Sequence, residues 1–215
     1  MVFHIIHRGL AKKNFKENTL NSFKYCFSKN YGIETDLHCS KDNKIVCFHD
    51  FNLKNKFRIN RYINKTNYNE LYKISKKKNN TIPLLNDLVE ISKNKYYLML
   101  EIKPFFSKKN LQLLISEIKS LKKYSITSFK EANLTKLYKL NKKLNLGLLV
   151  PSMWTINKII KKSKLKYVKF LVLEKRFIST NKLDIINKDI FYYTIKKKQL
   201  FKKYQKSKNL IFENL

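Results

Sequence analysis

The sequence predicts an α/β fold: a compact (β/α)8 TIM barrel with a short hairpin extension after the second strand. Three observations point there. Short apolar runs alternate with helical patterns along most of the chain. Eight such runs remain once one hairpin strand is set aside. Acidic, basic and histidine side chains gather where the runs end, which is where barrels carry their working residues. The 215 residues suit a single domain spanning 1–215, at the short end for a barrel, so its loops must be tight. A hydrophobic content of 43% separates the chain from disordered sequences. With three glycines and three prolines, turns must rely on Asn, Lys and Ser.

Taken in order, Val2 to His7 reads as a buried strand. After a polar loop, Asn18 or Thr19 can cap a helix carrying Leu20, Phe23 and Phe27 and ending near Asn30. Tyr31 to His38 is the second strand and Ile45 to His49 a third. The few residues between them, with an Asp42-Asn43 turn, leave no room for a crossover helix, so the pair forms a hairpin. Residues 51–82 read as a short irregular insertion near the mouth, with one helix around Asn69 to Ser75. Pro83 opens a helix from Leu84 to Ser92 whose apolar residues share a face. Strands then follow at Tyr96–Ile102, Tyr124–Phe129, Leu144–Val150, Tyr167–Leu173, Ile190–Ile195 and Leu210–Glu213. Helices fall between them at Leu111–Leu121, Glu131–Leu140, Thr155–Lys162, Asn181–Asn187 and Lys197–Gln205.

Lysine and arginine number 47 against 15 acids, a formal charge of +32. Such a field draws anionic partners: nucleic acid, an acidic membrane surface or a phosphate substrate. Abundant Lys, Asn, Ile, Tyr and Phe also fit the codon bias of an AT-rich genome, and this accounts for the composition without a partner. Cys26, Cys39 and Cys47 make no CxxC pair, which suits free thiols in a reducing compartment. No apolar run reaches the roughly 18 residues of a membrane span. The first strand leads directly into His7, so a cleaved leader is not expected and a cytoplasmic location is.

Glu34 and Asp36 lie two apart on a strand and so share a face. Glu101 ends a later strand. Three carboxylates at one mouth make an all-oxygen site suited to Mg²⁺ or Ca²⁺, whereas each acid alone could simply pair with a neighbouring cation. His7 and His49 each end an apolar run and can titrate near neutral pH as an acid–base pair. His4 and His38 read as structural. Arg8 and Lys103 would add fixed positive charge, the arginine as a fork and the lysine as a point charge. Together these parts suit phosphoryl chemistry.

The ordered set His7-Arg8-Gly9, Glu17-Asn18-Thr19, Glu34/Asp36, Ser40/Asp42, His49-Asp50, Ile82-Pro83-Leu84-Leu85 and Glu101-Ile102-Lys103 resembles the glycerophosphodiester phosphodiesterase family. Ser128-Phe129 and Leu146-Gly147-Leu148-Leu149 extend the likeness over most of the chain. The resemblance implies a (β/α)8 barrel that hydrolyses glycerophosphodiesters to glycerol 3-phosphate and an alcohol, using a divalent metal. Glu34, Asp36 and Glu101 would ligate that metal. His7 and His49 would be general acid and base, Arg8 and Lys103 would hold the phosphate, and Glu17 would support the site. The chain departs from the family late. Tyr193-Thr194-Ile195-Lys196 stands for Trp-Thr-Val-Asn, and Phe212-Glu213-Asn214-Leu215 for Thr-Asp-x-Pro. Lys16 replaces a proline and Asn43 a turn glycine. The implied partner is a small glycerophosphodiester. A lysophospholipid-cleaving, phospholipase D-like enzyme, weakly associated with an anionic membrane, is the alternative. A basic nucleic-acid-binding protein is the remote one, with charge as its support and no recognition motif.

Overall fold

The computed structural model describes residues 2–214; Leu215, the last residue of the closing motif, lies outside the described residues. Its sheet has nine strands, of which one is antiparallel, leaving eight parallel strands that close on themselves. They are β1 (His4–His7), β2 (Gly32–Cys39), β4 (Leu98–Ile102), β5 (Tyr124–Ser128), β6 (Leu146–Leu149), β7 (Phe170–Glu174), β8 (Ile190–Ile195) and β9 (Asn209–Phe212). β1 pairs with both β2 and β9, which closes the (β/α)8 barrel. β3 (Ile45–Cys47) pairs antiparallel with the far end of β2, Leu37 opposite Cys47, as the hairpin requires. Asn43 turns it at φ 57, the left-handed conformation asparagine tolerates.

Three of the helices start at a capping hydroxyl, Thr19, Ser107 or Thr155. Thr19 Oγ1 accepts from Ser22 N at 3.4 Å and begins α1 (Leu20–Ser28). Residues 51–82 are more regular than their sequence suggests. They hold α2 (Lys54–Phe57), a single 3₁₀ turn at Ile63–Lys65 and α3 (Tyr68–Lys77). Short elements each bury one or two apolar residues, so no periodicity shows. Phe48, Leu53, Phe57, Ile63, Leu71 and Ile82 nonetheless form a small core of their own. Ser40 and Asp42 anchor it: Ser40 Oγ donates to Asp42 Oδ1 at 2.6 Å, and that oxygen accepts from Tyr68 N at 2.9 Å, the start of α3.

After Pro83 comes α4 (Leu85–Ser92), its entry held by Leu84 N donating to Asp87 Oδ2 at 3.1 Å. Then come α5 (Lys108–Glu117), α6 (Glu131–Leu140), α7 (Ile156–Ser163) and α8 (Lys198–Tyr204). The helix expected at Asn181–Asn187 is instead one 3₁₀ turn, Asn181–Leu183. Leu183 is its one fully enclosed apolar side chain, which is too little to hold a longer helix against the sheet. Most of the core lies between sheet and helices. Inside the barrel a separate cluster of Ile5, Met99, Leu149, Phe170, Val172, Phe191 and Ile211 forms an apolar floor. Gly147 is needed beside it: a Cβ there would lie 2.3 Å from Phe170 Cζ.

One helix end carries a pH-dependent liability. Glu117 closes α5, where the helix dipole is unfavourable to an anion, and its Oε2 is buried without a hydrogen bond. Burial pushes this carboxyl up to about 7, with Lys44 opposing. Its folded value lies above the ordinary 4.5, so the folded state holds the proton more tightly. The resulting stability is present below about pH 4.5 and is lost as pH rises through about 7. Glu117→Gln should therefore melt higher than the parent at pH 8 and differ little at pH 5. Thermal melts across that range test it, and an unchanged gap between the two proteins would refute it.

Candidate active site

Strand alternation and register build the site from below. The floor residues Ile5, Met99 and Ile211 are each followed two positions later by His7, Glu101 and Glu213, so these polar side chains sit one layer higher. Register sets His7 beside Glu34 and Asp36 beside Glu101. Glu34, Asp36 and Glu101 are all buried and present oxygens within 4.8 Å of one another. At that spacing two charged carboxylates repel by about 3 kcal/mol, even at an effective dielectric constant of about 20. Cations or protons must answer.

Arg8 and Lys103 answer in part. Arg8 Nε lies 3.0 Å from Asp36 Oδ2, and its Nη1 donates to Glu17 Oε2 at 3.1 Å. The Arg8 backbone N–H donates to Glu34 Oε2 at 3.2 Å. This needs a left-handed turn: Arg8 has φ 51 and Gly9 φ 72, and a Cβ on Gly9 would lie 2.6 Å from Ser22 Oγ. Lys103 Nζ stands 3.4 Å from Asp36 Oδ1 and 3.1 Å from Glu101 Oε1. Burial pushes Asp36 up, but Arg8 and Lys103 outweigh it and hold the carboxyl below its usual range. Burial, reinforced by Asp36, lifts Glu101 to about 7. Glu34 is raised well above its ordinary value by burial, then by Asp36 and Glu101.

Two of these oxygens, Asp36 Oδ1 and Glu101 Oε1, are buried and share a single partner, the Lys103 ammonium. Buried acceptors are normally satisfied. An all-oxygen set with two such atoms fits a hard divalent cation, and Glu34, Asp36 and Glu101 are the residues that could hold it.

Both histidines have carboxylate partners. His7 Nδ1 lies 2.7 Å from Glu213 Oε1, and His49 Nδ1 lies 2.7 Å from Asp50 Oδ1. A carboxylate accepts, so each Nδ1 carries the proton and each Nε2 is left for other work. Burial lowers the His7 pKa despite Glu213. His49 lies two residues past the end of β3, not on the strand. Phe48 N donates to Asp36 O at 2.9 Å, and the His49 carbonyl accepts from His38 Nε2 at 3.2 Å. The Asp42-Asn43 turn is thus one of several supports for His49. His38, pushed down by burial to about 4, stays neutral for this role. His4 likewise donates to a backbone carbonyl, Gln205 O, at 3.0 Å.

The structure brings His7, Arg8, Glu34, His49, Glu101 and Lys103 to one cavity of about 240 Å³, over an apolar floor that includes Met99 and Val172. Asp36 and Glu17 stand behind it, holding Arg8. Four contributors escape a reading for chemistry alone. Glu213 orients His7 and Asp50 orients His49. Asn18 donates to Asp36 Oδ2 at 3.0 Å and accepts from Thr35 Oγ1 at 2.7 Å. Lys56, from α2, pairs with Glu17 at 2.8 Å. Asp50 and Asn18 sit inside motifs already singled out. Glu213 could have been found from its two-residue offset from Ile211.

Glu213→Gln keeps an acceptor for Nδ1 but loses the charge that stabilises an imidazolium. Turnover should fall roughly tenfold or more. Because Glu213 raises the His7 pKa, any rate limb owed to His7 should move to lower pH. A pH–rate profile that keeps its shape and position would remove Glu213 from this role.

A (β/α)8 barrel with clustered carboxylates, two cations and two oriented histidines at its mouth has the form of a barrel enzyme whose charged site lies at the C-terminal ends of its strands. Residues 7–206 match the Glycerophosphoryl diester phosphodiesterase family, and the chain belongs to that family. Its sequence is similar to human lysophospholipase D GDPD1, 34% identical over 105 residues, which cover 42% of this chain and 33% of the relative. The rat protein of the same name is 38% identical over 69 residues, covering 32% of this chain and 22% of the relative. The chain thus spans a third or less of the curated relatives it matches. Its fold is shared with a glycerophosphodiester phosphodiesterase from Thermotoga maritima (TM-score 0.83, 20% identity, 99% of this chain and 94% of the other). It is shared also with an Oleispira antarctica phosphodiesterase in complex with its product sn-glycerol-3-phosphate (TM-score 0.82, 22% identity, 98% and 92%).

Proposed function

We propose that the chain is a metal-dependent phosphoric diester hydrolase that cleaves glycerophosphodiesters to sn-glycerol 3-phosphate and an alcohol. One observation carries the reading: two carboxylates, two cations and two histidines line a single cavity, with a third buried carboxylate, Asp36, within 4.8 Å of the other two, in a chain of this family. Glu34, Asp36 and Glu101 would hold a Mg²⁺ or Ca²⁺ ion, which when bound supplies Lewis-acid polarisation of a phosphoryl oxygen. Arg8 and Lys103 then bind and orient the phosphate, relieved of part of their pairing with the carboxylates. Burial favours neutral His7, whose Nε2 takes the proton from the attacking oxygen. His49, with Asp50 behind it, gives a proton to the leaving alkoxide. Glu17 keeps Arg8 in place. The cysteines, all buried and free, suit a reducing cytoplasmic setting. Among the described residues no helix is long and apolar enough to cross a membrane.

A panel assay tests this. Release of glycerol 3-phosphate from glycerophosphocholine, glycerophosphoethanolamine and glycerophosphoglycerol should be seen with Mg²⁺ or Ca²⁺. No release from any of them with either metal would refute it. A second reading, cleavage of lysophospholipids, is favoured by the likeness to a human lysophospholipase D over 105 residues. Lysophosphatidylcholine in the same assay separates the two.

A further inference from the structure

We infer that the mouth of the barrel docks on an anionic phospholipid bilayer through a ring of exposed apolar side chains set among lysines. Three of the most exposed large apolar residues stand on this face: Phe51 at 50%, Phe105 at 65% and Met153 at 78% exposed. Phe51 follows His49, Phe105 follows β4, and Met153 follows β6. Phe105 and Met153 thus sit on loops at the C-terminal ends of barrel strands, and Phe51 lies two residues past His49, a cavity-lining residue, with its ring 5.1 Å from that of His38. Single exposed apolar residues are ordinary on a protein surface. Three of them around one cavity entrance form a pattern that calls for an apolar partner.

Charge selects the partner. Lys130 Nζ lies 5.2 Å from the Phe105 ring centroid, and Lys175 and Lys197 occupy the loops after β7 and β8, while Lys196 pairs with Glu213 Oε2 at 3.1 Å. The acids on this face are already engaged. Glu174 faces Arg176 at 3.8 Å, Glu131 faces Lys162 at 2.8 Å, and Asp50 faces His49 at 2.7 Å. Exposed apolar side chains beside Lys130, Lys175 and Lys197, which have no acid partner among the described residues, match a surface with anionic headgroups over acyl chains, where lysine stems can lie along the apolar layer. Ile185, 71% exposed, lies before β8 on the opposite face and serves as a control. Docking this way would deliver a lipid-borne phosphodiester to the cavity; that consequence rests on the proposed function, whereas the docking does not.

The chain's one tryptophan, Trp154, is adjacent to Met153 and reports on the face that meets the membrane. Vesicles of phosphatidylcholine with a minor share of phosphatidylglycerol, some carrying brominated acyl chains, should bind the protein and quench Trp154. Pure phosphatidylcholine should bind more weakly. The triple variant F51S/F105S/M153S keeps the net charge. It should bind anionic vesicles roughly tenfold less tightly with quenching lost, while hydrolysing soluble glycerophosphocholine like the parent. The I185S variant should behave as the parent in all three measurements. Equal binding by the triple variant, or vesicle binding without Trp154 quenching, would overturn the proposal. Failure to hydrolyse glycerophosphocholine, with vesicle binding intact, would instead count against the proposed function.

Discussion

Replacing His7 or His49 with alanine is expected to lower glycerophosphodiester hydrolysis by about three orders of magnitude, with the fold intact. General acid–base catalysis contributes roughly 10² to 10⁴ in rate per positioned group, and neither imidazole holds up the barrel. His7 is at the end of β1 and largely buried at the cavity wall, with Glu213 its one hydrogen-bond partner. His49 lies beyond β3, and its side chain touches Asp50 while its backbone does the structural work with His38. Alanine at either position leaves those backbone bonds in place. The double variant should lose little more than either single one, because two groups that act in one proton relay are not additive. Turnover from glycerol 3-phosphate release, read beside circular dichroism and thermal melts, gives the answer. A folded single variant with near-parental turnover would remove that histidine from the acid–base pair.

Asp36→Asn should abolish activity and also cost stability, which separates it from the histidine variants. Asp36 is fully buried, and its charge is shared between Arg8 Nε at 3.0 Å and Lys103 at 3.4 Å. Removing one partner of a buried ion pair typically costs about 3 to 5 kcal/mol, because the remaining cations are left uncompensated. The melt should drop accordingly. The parent, stripped by chelator, should lose activity and regain it with Mg²⁺ or Ca²⁺. Adding either ion should also raise its melting temperature, since a ligand at about 100 times its dissociation constant adds about 2.7 kcal/mol. Glu101→Gln should lose that metal-dependent rise while folding normally, because its partner Lys103 also touches Asp36. A chelated parent of undiminished activity, or a Glu101→Gln variant with the full metal-dependent shift, would refute the carboxylate site.

Much of the site was legible because its members lie at strand ends, where spacing is read directly. Glu34 and Asp36 share a face by alternation, and Glu101 follows an apolar strand. What stayed hidden were the partners brought from far along the chain. Glu213 reaches His7 across 206 positions, and only barrel closure between β1 and β9 makes them neighbours. The ordering of residues 51–82 was hidden too. Its core takes single residues from several short elements, and such a pattern has no period to detect.

By itself the sequence determined the barrel, its hairpin and the chemical types available at the mouth. Those follow from local alternation, turn residues and strand-end placement, all of which act over a few positions. Tertiary structure alone decided which carboxylates hold charge, which histidine nitrogens carry protons and what orients them. Those properties depend on burial and on distances of a few ångströms between strands far apart in sequence. Electrostatic energy varies steeply over that range, while spacing along the chain says nothing about it.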